Sequence, residues 1–269
     1  MAARVSARAG YDDNVILQDE TGLAGDVSAE SPFLEVFGTL RGPYPGWRGV
    51  RLDGSFYMLR YPEAGDFNQA SANLGALYEW WRGDWSADAG MHLATTTLGG
   101  DGFDRSLRLS TRITRRLTPD SSVALRYRHD DVSAIESIYD GIEGSRHRVD
   151  LQFRWSRDDR RVGVNLTRET NDRADPSVSP DKLKLEVDYR FVPETGWGYG
   201  VGMELRSSEY AGIDPSRDED LVQFDARVTR YTESGWQLFA ELLRADNDSS
   251  DAAFSYERNQ LAIGVYRLF

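Results

Sequence analysis

Apolar and charged residues alternate along most of this chain, and this two-residue period limits the possible folds most strongly. In the segment 181–191, odd positions from Leu183 to Phe191 are apolar or aromatic, and even positions from Lys182 to Arg190 are charged. Successive side chains of a β-strand point to opposite faces, so the pattern predicts strands with one apolar and one polar face. Many runs exceed the five or six residues of a typical soluble strand, and about 9–11 tilted residues cross a bilayer.

The alternation predicts an all-β fold, a single transmembrane antiparallel β-barrel of about fourteen strands that forms one domain over residues 1–269. A soluble β-sandwich or lipocalin-like barrel would also alternate, but the length of the runs favours the membrane barrel. The predicted strands are 3–11, 31–41, 48–60, 68–81, 84–97, 104–116, 121–131, 146–157, 160–169, 181–191, 197–208, 219–230, 235–245 and 255–269.

Composition excludes several other classes of protein. The 269 residues include no cysteine, so neither a disulfide framework nor a thiolate metal site is available. A formal net charge of −12 argues against a nucleic-acid-binding protein, which needs a basic face. The mean hydropathy is −0.56, and no apolar run is long enough for a transmembrane helix. A barrel shows lipid only every second residue, so this low mean is compatible with it.

The predicted connections alternate between short and long, as in outer-membrane barrels with short periplasmic turns and longer extracellular loops. The long set includes Leu17–Glu30, Asp130–Gly144, Glu169–Asp181, Ala211–Glu219 and Asp246–Ala253, with shorter members at Pro62–Asp66 and Leu98–Phe103. Aromatic residues cluster beside the short turns, which predicts an interfacial girdle on the periplasmic side. These residues are Trp80, Trp85, Trp155, Phe191, Trp197 and Trp236.

If the apolar rows face lipid, the intervening rows face the lumen, and many of these inward residues are charged. They could form a water-filled passage that guides an anionic solute, or a ladder of ion pairs that stiffens the wall. Gly198, Gly200 and Gly202 either leave space for a plug or substrate, or relieve crowding. The predicted lumen-lining residues are Arg108, Arg112, Arg126, Arg128, Arg148, Asp150, Arg154, Lys182, Lys184, Glu186, Asp188, Arg190, Glu204, Asp225, Arg227 and Glu241.

Signals for catalysis, metals and cofactors are weak. His129 with Asp130 and Asp131 is the nearest candidate catalytic dyad, but a charged surface loop explains it better. The acidic run 246–251 could bind Ca²⁺, but it lacks the glycine and terminal glutamate of an EF-hand, so we interpret it as a solvated loop. We therefore predict no catalytic residue, no metal site and no cofactor.

Two short segments resemble known families. Leu261–Phe269 resembles the final strand of outer-membrane barrels, which implies recognition by the barrel assembly machinery through Phe269; Arg267 stands where Tyr is common. Gly10–Val15 resembles the first strand of barrels that follow tetratricopeptide repeats, such as surface lipoprotein assembly modifiers and exopolysaccharide-export porins. The assembly-modifier barrels have fourteen strands. This likeness implies a periplasmic repeat domain upstream.

These observations lead to three functional hypotheses for a Gram-negative outer-membrane protein. The first is a conduit that exports a polymer or surface protein, and the second is an anion-preferring porin for small solutes. The third is a barrel hydrolase, although we do not expect an enzyme. No export signal is visible at Met1–Val5, so we expect the sequence to be the C-terminal part of a longer chain. Outer-membrane lipid and lipopolysaccharide are the expected surroundings, with no nucleic-acid partner.

Overall fold

The computed structural model, which describes residues 2–15, 29–44 and 46–269, is a closed barrel of fourteen antiparallel strands. Each strand pairs with its neighbours in sequence, and β1 pairs with β14 to close the sheet. The predicted fold class is therefore confirmed. The strands are β1 (Ala2–Val15), β2 (Ala29–Pro43), β3 (Val50–Arg60), β4 (Gln69–Arg82), β5 (Trp85–Leu98), β6 (Asp101–Thr118), β7 (Ser121–Ala134), β8 (Gly144–Arg157), β9 (Arg160–Arg173), β10 (Asp181–Phe191), β11 (Gly196–Tyr210), β12 (Arg217–Tyr231), β13 (Trp236–Ser249) and β14 (Tyr256–Leu268).

The two faces of the sheet follow the alternation in the sequence. On β11, Tyr199 and Val201 are about half exposed on the outer surface, whereas Gly198 and Ser208 are buried on the inner face. Among the residues that the structure describes, no helix is both long and apolar enough to span a bilayer. Short 3-10 helices lie in the connections, at Gly65–Phe67, Ser137–Ile142, Pro176–Val178 and Ala252–Phe254.

The two ends of the barrel differ in their connections. At the turn end, which follows the even-numbered strands, pairs such as Gly83–Asp84 and Asp158–Asp159 join neighbouring strands. At the loop end, which follows the odd-numbered strands, longer segments such as 135–143 and 174–180 do so. The predicted loop Leu17–Glu30 lies largely outside the described residues, at positions 16–28.

One predicted loop is wrong. Leu98–Phe103 is a two-residue hairpin, in which Leu98 and Asp101 are paired residues of β5 and β6. Gly99 and Gly100 form the turn with φ of 63° and 107°. Two positive φ values match the twist of the flanking strands, and glycine adopts them without steric cost. The double glycine indicated a turn, but not how far the strands extend on either side.

Several strands extend beyond their predicted ends at the loop end. Asp218 and Glu219, from the predicted loop Ala211–Glu219, lie in β12, and Asp246–Ser249, from the predicted loop Asp246–Ala253, lies in β13. These two segments meet in the sheet, where Glu219 pairs with Ser249. Backbone pairing needs no apolar side chain, so a strand can continue after the alternation has ended. Asp246 and Asp248 share the outer face of β13, whereas Asp251 lies beyond the strand and accepts a hydrogen bond from Ala253 N at 3.1 Å.

The loop end contains two apolar clusters. The first consists of Val15, Phe33, Leu59, Tyr61, Ala64 and Ala262. It packs the loop after β3 against the first and last strands, through Val15 and Ala262. Leu98 and Phe103 pack against Ile142 of the loop after β7. Backbone hydrogen bonds also join the loops, as from Ala174 N to Glu143 O at 2.7 Å. The loops therefore pack against the barrel and each other.

Side chains of the segment Gly10–Val15 in β1 form hydrogen bonds with residues of the last strand, β14. Asp12, fully buried, accepts hydrogen bonds from Arg258 Nη2 at 2.6 Å, Gln260 Nε2 at 2.7 Å and Tyr61 Oη at 3.1 Å. Burial raises the pKa of the Tyr61 phenol, which keeps it protonated as a donor. Asp13 accepts from Asn259 N at 2.6 Å. This seam cluster gives the short motif a structural role in closing the barrel.

We predict that Asp12→Asn lowers the free energy of unfolding by about 3–5 kcal/mol, because it leaves the buried Arg258 without its anion. Asp13→Asn is the matched control, since its partner Asn259 is neutral, and we expect a loss of only about 1 kcal/mol. Denaturant titration of the folded barrel measures both. Equal losses in the two variants would contradict the role given to Asp12.

Candidate functional site

The structure places all sixteen predicted lumen residues on inner rows of the sheet. The pairing registers put Arg128 opposite Arg148 and Asp150 opposite Arg126, and Glu186 pairs with Glu204. Most of these residues belong to two chains of contacts, one on each side of the lumen. That they line a conducting pore stays a prediction.

The centre of the first chain is Asp150 on β8, whose side chain is fully buried. Its carboxylate lies 2.9 Å from Arg126 Nε, 2.9 Å from Arg148 Nε and 3.5 Å from Arg128 Nη2. The Thr167 hydroxyl donates a further hydrogen bond at 2.8 Å. One anion therefore contacts three guanidinium groups. Arg148 also lies 3.9 Å from Glu169 on β9, so two carboxylates face three guanidinium groups and positive charge is in excess at this point of the wall.

The same sharing of one carboxylate occurs closer to the loop end. Asp130 on β7 contacts Arg108 Nε at 2.5 Å and Arg146 Nε at 3.2 Å, and its side chain is almost fully buried. Arg112 on β6 pairs with Asp88 on β5 at 2.8 Å. Arg146 was not among the predicted lumen residues, because the strand that contains it was predicted to begin at that residue.

On β9 to β11, acids and bases are closer to balance. Lys184 contacts Glu186 at 3.1 Å and Glu204 at 3.5 Å. Lys182 lies 3.9 Å from Glu169 on the neighbouring strand. Each cross-strand pair of opposite charges adds about 0.2–1 kcal/mol, so these contacts stiffen the wall modestly.

The second chain of contacts crosses the opposite side of the lumen. Arg227 on β12 lies 3.0 Å from Glu241 on β13, which also contacts Arg8 on β1 at 2.5 Å. Arg8 continues to Glu35 on β2 at 2.7 Å. Arg8 and Glu35 were not among the predicted lumen residues, although their positions in the alternation place both on the inner face.

Inner glycines allow some of these side chains to reach across an intervening strand. Arg8 passes Gly264 of β14 to reach Glu241, and a Cβ on Gly264 would lie 2.8 Å from Arg8 Cβ. His92 on β5 crosses Gly75 of β4 to reach Asp53 on β3 at 3.1 Å. A Cβ on Gly75 would lie 2.0 Å from the His92 ring.

Two of the three inner glycines of β11 also leave room for a neighbouring side chain. A Cβ on Gly202 would lie 2.1 Å from the Asp225 carboxylate, and one on Gly198 would lie 2.6 Å from the Tyr231 ring. Neighbouring side chains therefore fill the space that a plug or substrate would need at these two positions. At Gly200 the nearest side-chain atom, Arg190 Cγ, is 3.4 Å away, which is ordinary contact.

Two cavities adjoin the inner wall. One, of about 310 Å³, is lined by Gln152, Arg154, Asn165, Asp188, Arg190 and Asp225 among others. The other, of about 440 Å³, is lined by Arg4, Phe37, Arg41, Asp53, Asn73 and His92 among others. Arg154 forms no ion pair among the described residues, and Arg190 pairs with Asp188 at 3.2 Å while staying largely exposed. Both arginines therefore present charge to the cavity.

The candidate dyad of His129 with Asp130 does not form. His129 lies on the outer face of β7, where its ring is 4.7 Å from the His147 ring, whereas Asp130 points inward to Arg108. Both residues lie in β7, and adjacent residues of a strand point to opposite faces, so their side chains cannot contact each other. His92 lies on the inner row of β5. Within the described residues, no group of three or more His, Asp or Glu side chains is arranged to hold a metal ion.

No protein-family model and no curated protein matches the sequence. Solved outer-membrane structures share its fold at low identity. One is the outer-membrane-expressed OmpT of Vibrio cholerae, with a TM-score of 0.59 and 10% identity. The alignment covers 100% of this chain and 96% of the OmpT chain. An anion-selective porin from Comamonas acidovorans gives 0.57 at 10%, covering 100% and 98%. A bacterial polysaccharide outer membrane secretin gives 0.53 at 10%, covering 100% and 98%. The fold is thus that of an outer-membrane β-barrel, while the predicted link to repeat-containing export proteins is not confirmed.

We predict that Gly75→Ala lowers the free energy of unfolding by about 1–3 kcal/mol, because the new methyl group displaces His92 from Asp53. The control is Gly200→Ala, an inner glycine on the opposite side of the barrel where the added Cβ meets only ordinary contacts. Denaturant titration compares the two variants. If Gly200→Ala destabilises the barrel as much as Gly75→Ala, the loss reflects glycine replacement in general rather than the crossing of His92.

Proposed function

We propose that this barrel is a passive diffusion pore of the Gram-negative outer membrane that favours small anionic solutes. The observation that carries the proposal is the sharing of single carboxylates by several guanidinium groups on β6, β7 and β8. In this proposal the turn end of the barrel faces the periplasm and the loop end faces the cell exterior, as in other outer-membrane barrels.

The inner rows of these three strands carry more positive than negative charge. Arginines occupy eight inner positions and aspartates occupy three, so the acids of these three strands balance at most three of the eight charges. Two acids of the adjoining strands add to this, since Asp88 on β5 contacts Arg112 and Glu169 on β9 contacts Arg148, and an excess of positive charge remains. The arginines are Arg108, Arg112, Arg116, Arg126, Arg128, Arg146, Arg148 and Arg154, and the aspartates are Asp104, Asp130 and Asp150. Fixed cations along a water-filled passage attract anions and repel cations.

The acidic net charge of the chain does not oppose this preference, because much of it lies away from this wall. Asp218, Asp220, Asp246 and Asp248 lie at the loop end of β12 and β13, across the barrel from β6 to β8. Surface charges further away than about 10 Å are largely screened at moderate salt. The local excess of guanidinium groups therefore dominates for an ion inside the lumen.

No contact in the described residues favours export of a polymer or surface protein over diffusion, so that hypothesis stays a prediction. The segment Gly10–Val15, on which it depended, has a structural explanation in the seam cluster. An anion-selective porin shares the fold, which is compatible with the proposal but does not carry it.

We predict an anion-preferring current in planar bilayers, with a reversal potential displaced toward that of chloride in a potassium chloride gradient. Replacing both Arg126 and Arg148 by Gln should lower the anion-to-cation permeability ratio about fivefold, which corresponds to about 1 kcal/mol for unit charges 4 Å apart in water.

The matched control is Arg105→Gln, because Arg105 lies on β6 but faces outward. This variant loses the same charge without changing the lumen, so its permeability ratio should equal that of the parent protein. A folded barrel that conducts no ions or prefers cations would overturn the proposal. So would a double variant with the parent permeability ratio.

A further inference from the structure

A groove of about 650 Å³ lies on the outer face of the barrel at the turn end. We call it the rim groove, and its lining is apolar on one side and charged on the other. It is lined by Trp80, Arg82, Gly83, Asp84, Trp85, Ser86, Ala87, Ile113 and Arg115, which belong to β4, β5, β6 and the turn between β4 and β5.

The strand register arranges the groove in two rows. In the row further from the rim, Trp80 and Ile113 both pair with Ala87, so a small side chain lies between two large ones. This row forms an apolar notch that faces the hydrocarbon. In the row at the rim, Arg82 and Arg115 both pair with Trp85. Two arginines therefore flank one tryptophan along the rim row.

The cations of the rim row are available to a ligand. Arg115 Cζ lies 5.3 Å from the centre of the Trp85 ring, a cation–π distance that holds the guanidinium beside the groove. Neither Arg82 nor Arg115 forms an ion pair in the described part of the chain. Asp84 lies at the same rim, so the charged lining consists of two guanidinium groups and one carboxylate.

Other Trp–Arg pairs at the rim lack the notch. Arg230 lies 5.6 Å from the Trp197 ring, and Arg267 lies 4.9 Å from the Trp236 ring. Two residues along from each tryptophan, these strands carry Tyr199 and Leu238, where β5 carries Ala87. The Trp–Arg pair therefore recurs around the rim. The notch beside it is found in the rim groove and not at Trp197 or Trp236.

We propose that the rim groove binds one anionic phospholipid of the inner leaflet. Its phosphate lies between Arg82 and Arg115 against Trp85, and one acyl chain occupies the notch over Ala87. Arginine binds phosphate oxygens with charge-assisted hydrogen bonds, and a tryptophan ring favours the headgroup level. A soluble anion would gain nothing from the apolar row, which is why a lipid is the occupant. The inference rests on the membrane placement in the proposed function, but not on ion selectivity.

Native mass spectrometry of the folded barrel tests this proposal. The protein is released from micelles that contain equal amounts of phosphatidylglycerol and phosphatidylethanolamine with identical acyl chains. We expect the parent protein to retain phosphatidylglycerol preferentially. Arg115→Gln should lower that preference about tenfold, the effect of losing one hydrogen bond to a charged group. Ala87→Leu should fill the notch and lower the retention of both lipids.

Arg230→Gln is the matched control, because it removes a guanidinium stacked on a rim tryptophan away from the groove. It should keep the parent preference. An equal loss in Arg230→Gln and Arg115→Gln would assign the preference to the whole girdle and overturn the groove. Unchanged retention in both Arg115→Gln and Ala87→Leu would also overturn it. Bilayer selectivity is measured separately, so a failure here is distinguishable from a failure of the pore.

Discussion

Closure of the backbone hydrogen-bond ladder is the constraint on which the rest of this structure depends. Hydrocarbon offers no partner to an unpaired N–H or C=O group, and each costs several kcal/mol there. The barrel meets this requirement by pairing β1 with β14, from Arg4 opposite Leu268 to Asp12 opposite Gln260. Once the ladder is closed, every side chain faces either outward or inward. The seam cluster around Asp12 adds side-chain contacts where the first and last strands must meet.

Inside the closed ladder, long charged side chains need room along the wall. Gly75 and Gly264 provide it, because His92 and Arg8 cross them to reach acids on the strand beyond. These crossings couple strands that share no backbone hydrogen bond. The basic side of the lumen is arranged differently, with Asp150 at the centre of three arginines on its own and the adjoining strand. The same fold thus holds a nearly neutral wall opposite a positively charged one.

The alternation in the sequence predicted the strands and the facing of each side chain, because the period of two is a property of the strand itself. It therefore placed Arg126 and Arg148 inside correctly. It could not show that both contact Asp150, since that depends on the register between strands. Asp12 and Arg258 are 246 residues apart, and nothing in either local segment indicates their contact. Strand ends were also missed where polar residues such as Asp218 and Asp248 remain paired.

The seam has a further consequence for the order of the strands. At the turn end, Ala3 N donates to Phe269 O at 3.2 Å, and Phe269 N donates to Ala3 O at 2.8 Å. The two strands are therefore backbone-paired at this end, as the strands of a hairpin are. A short linker could join them while the chain is cut at another turn, such as Gly83–Asp84, without moving a strand. In topological terms the barrel is a ring with no first strand, and the assignment of β1 is a matter of where the chain is opened.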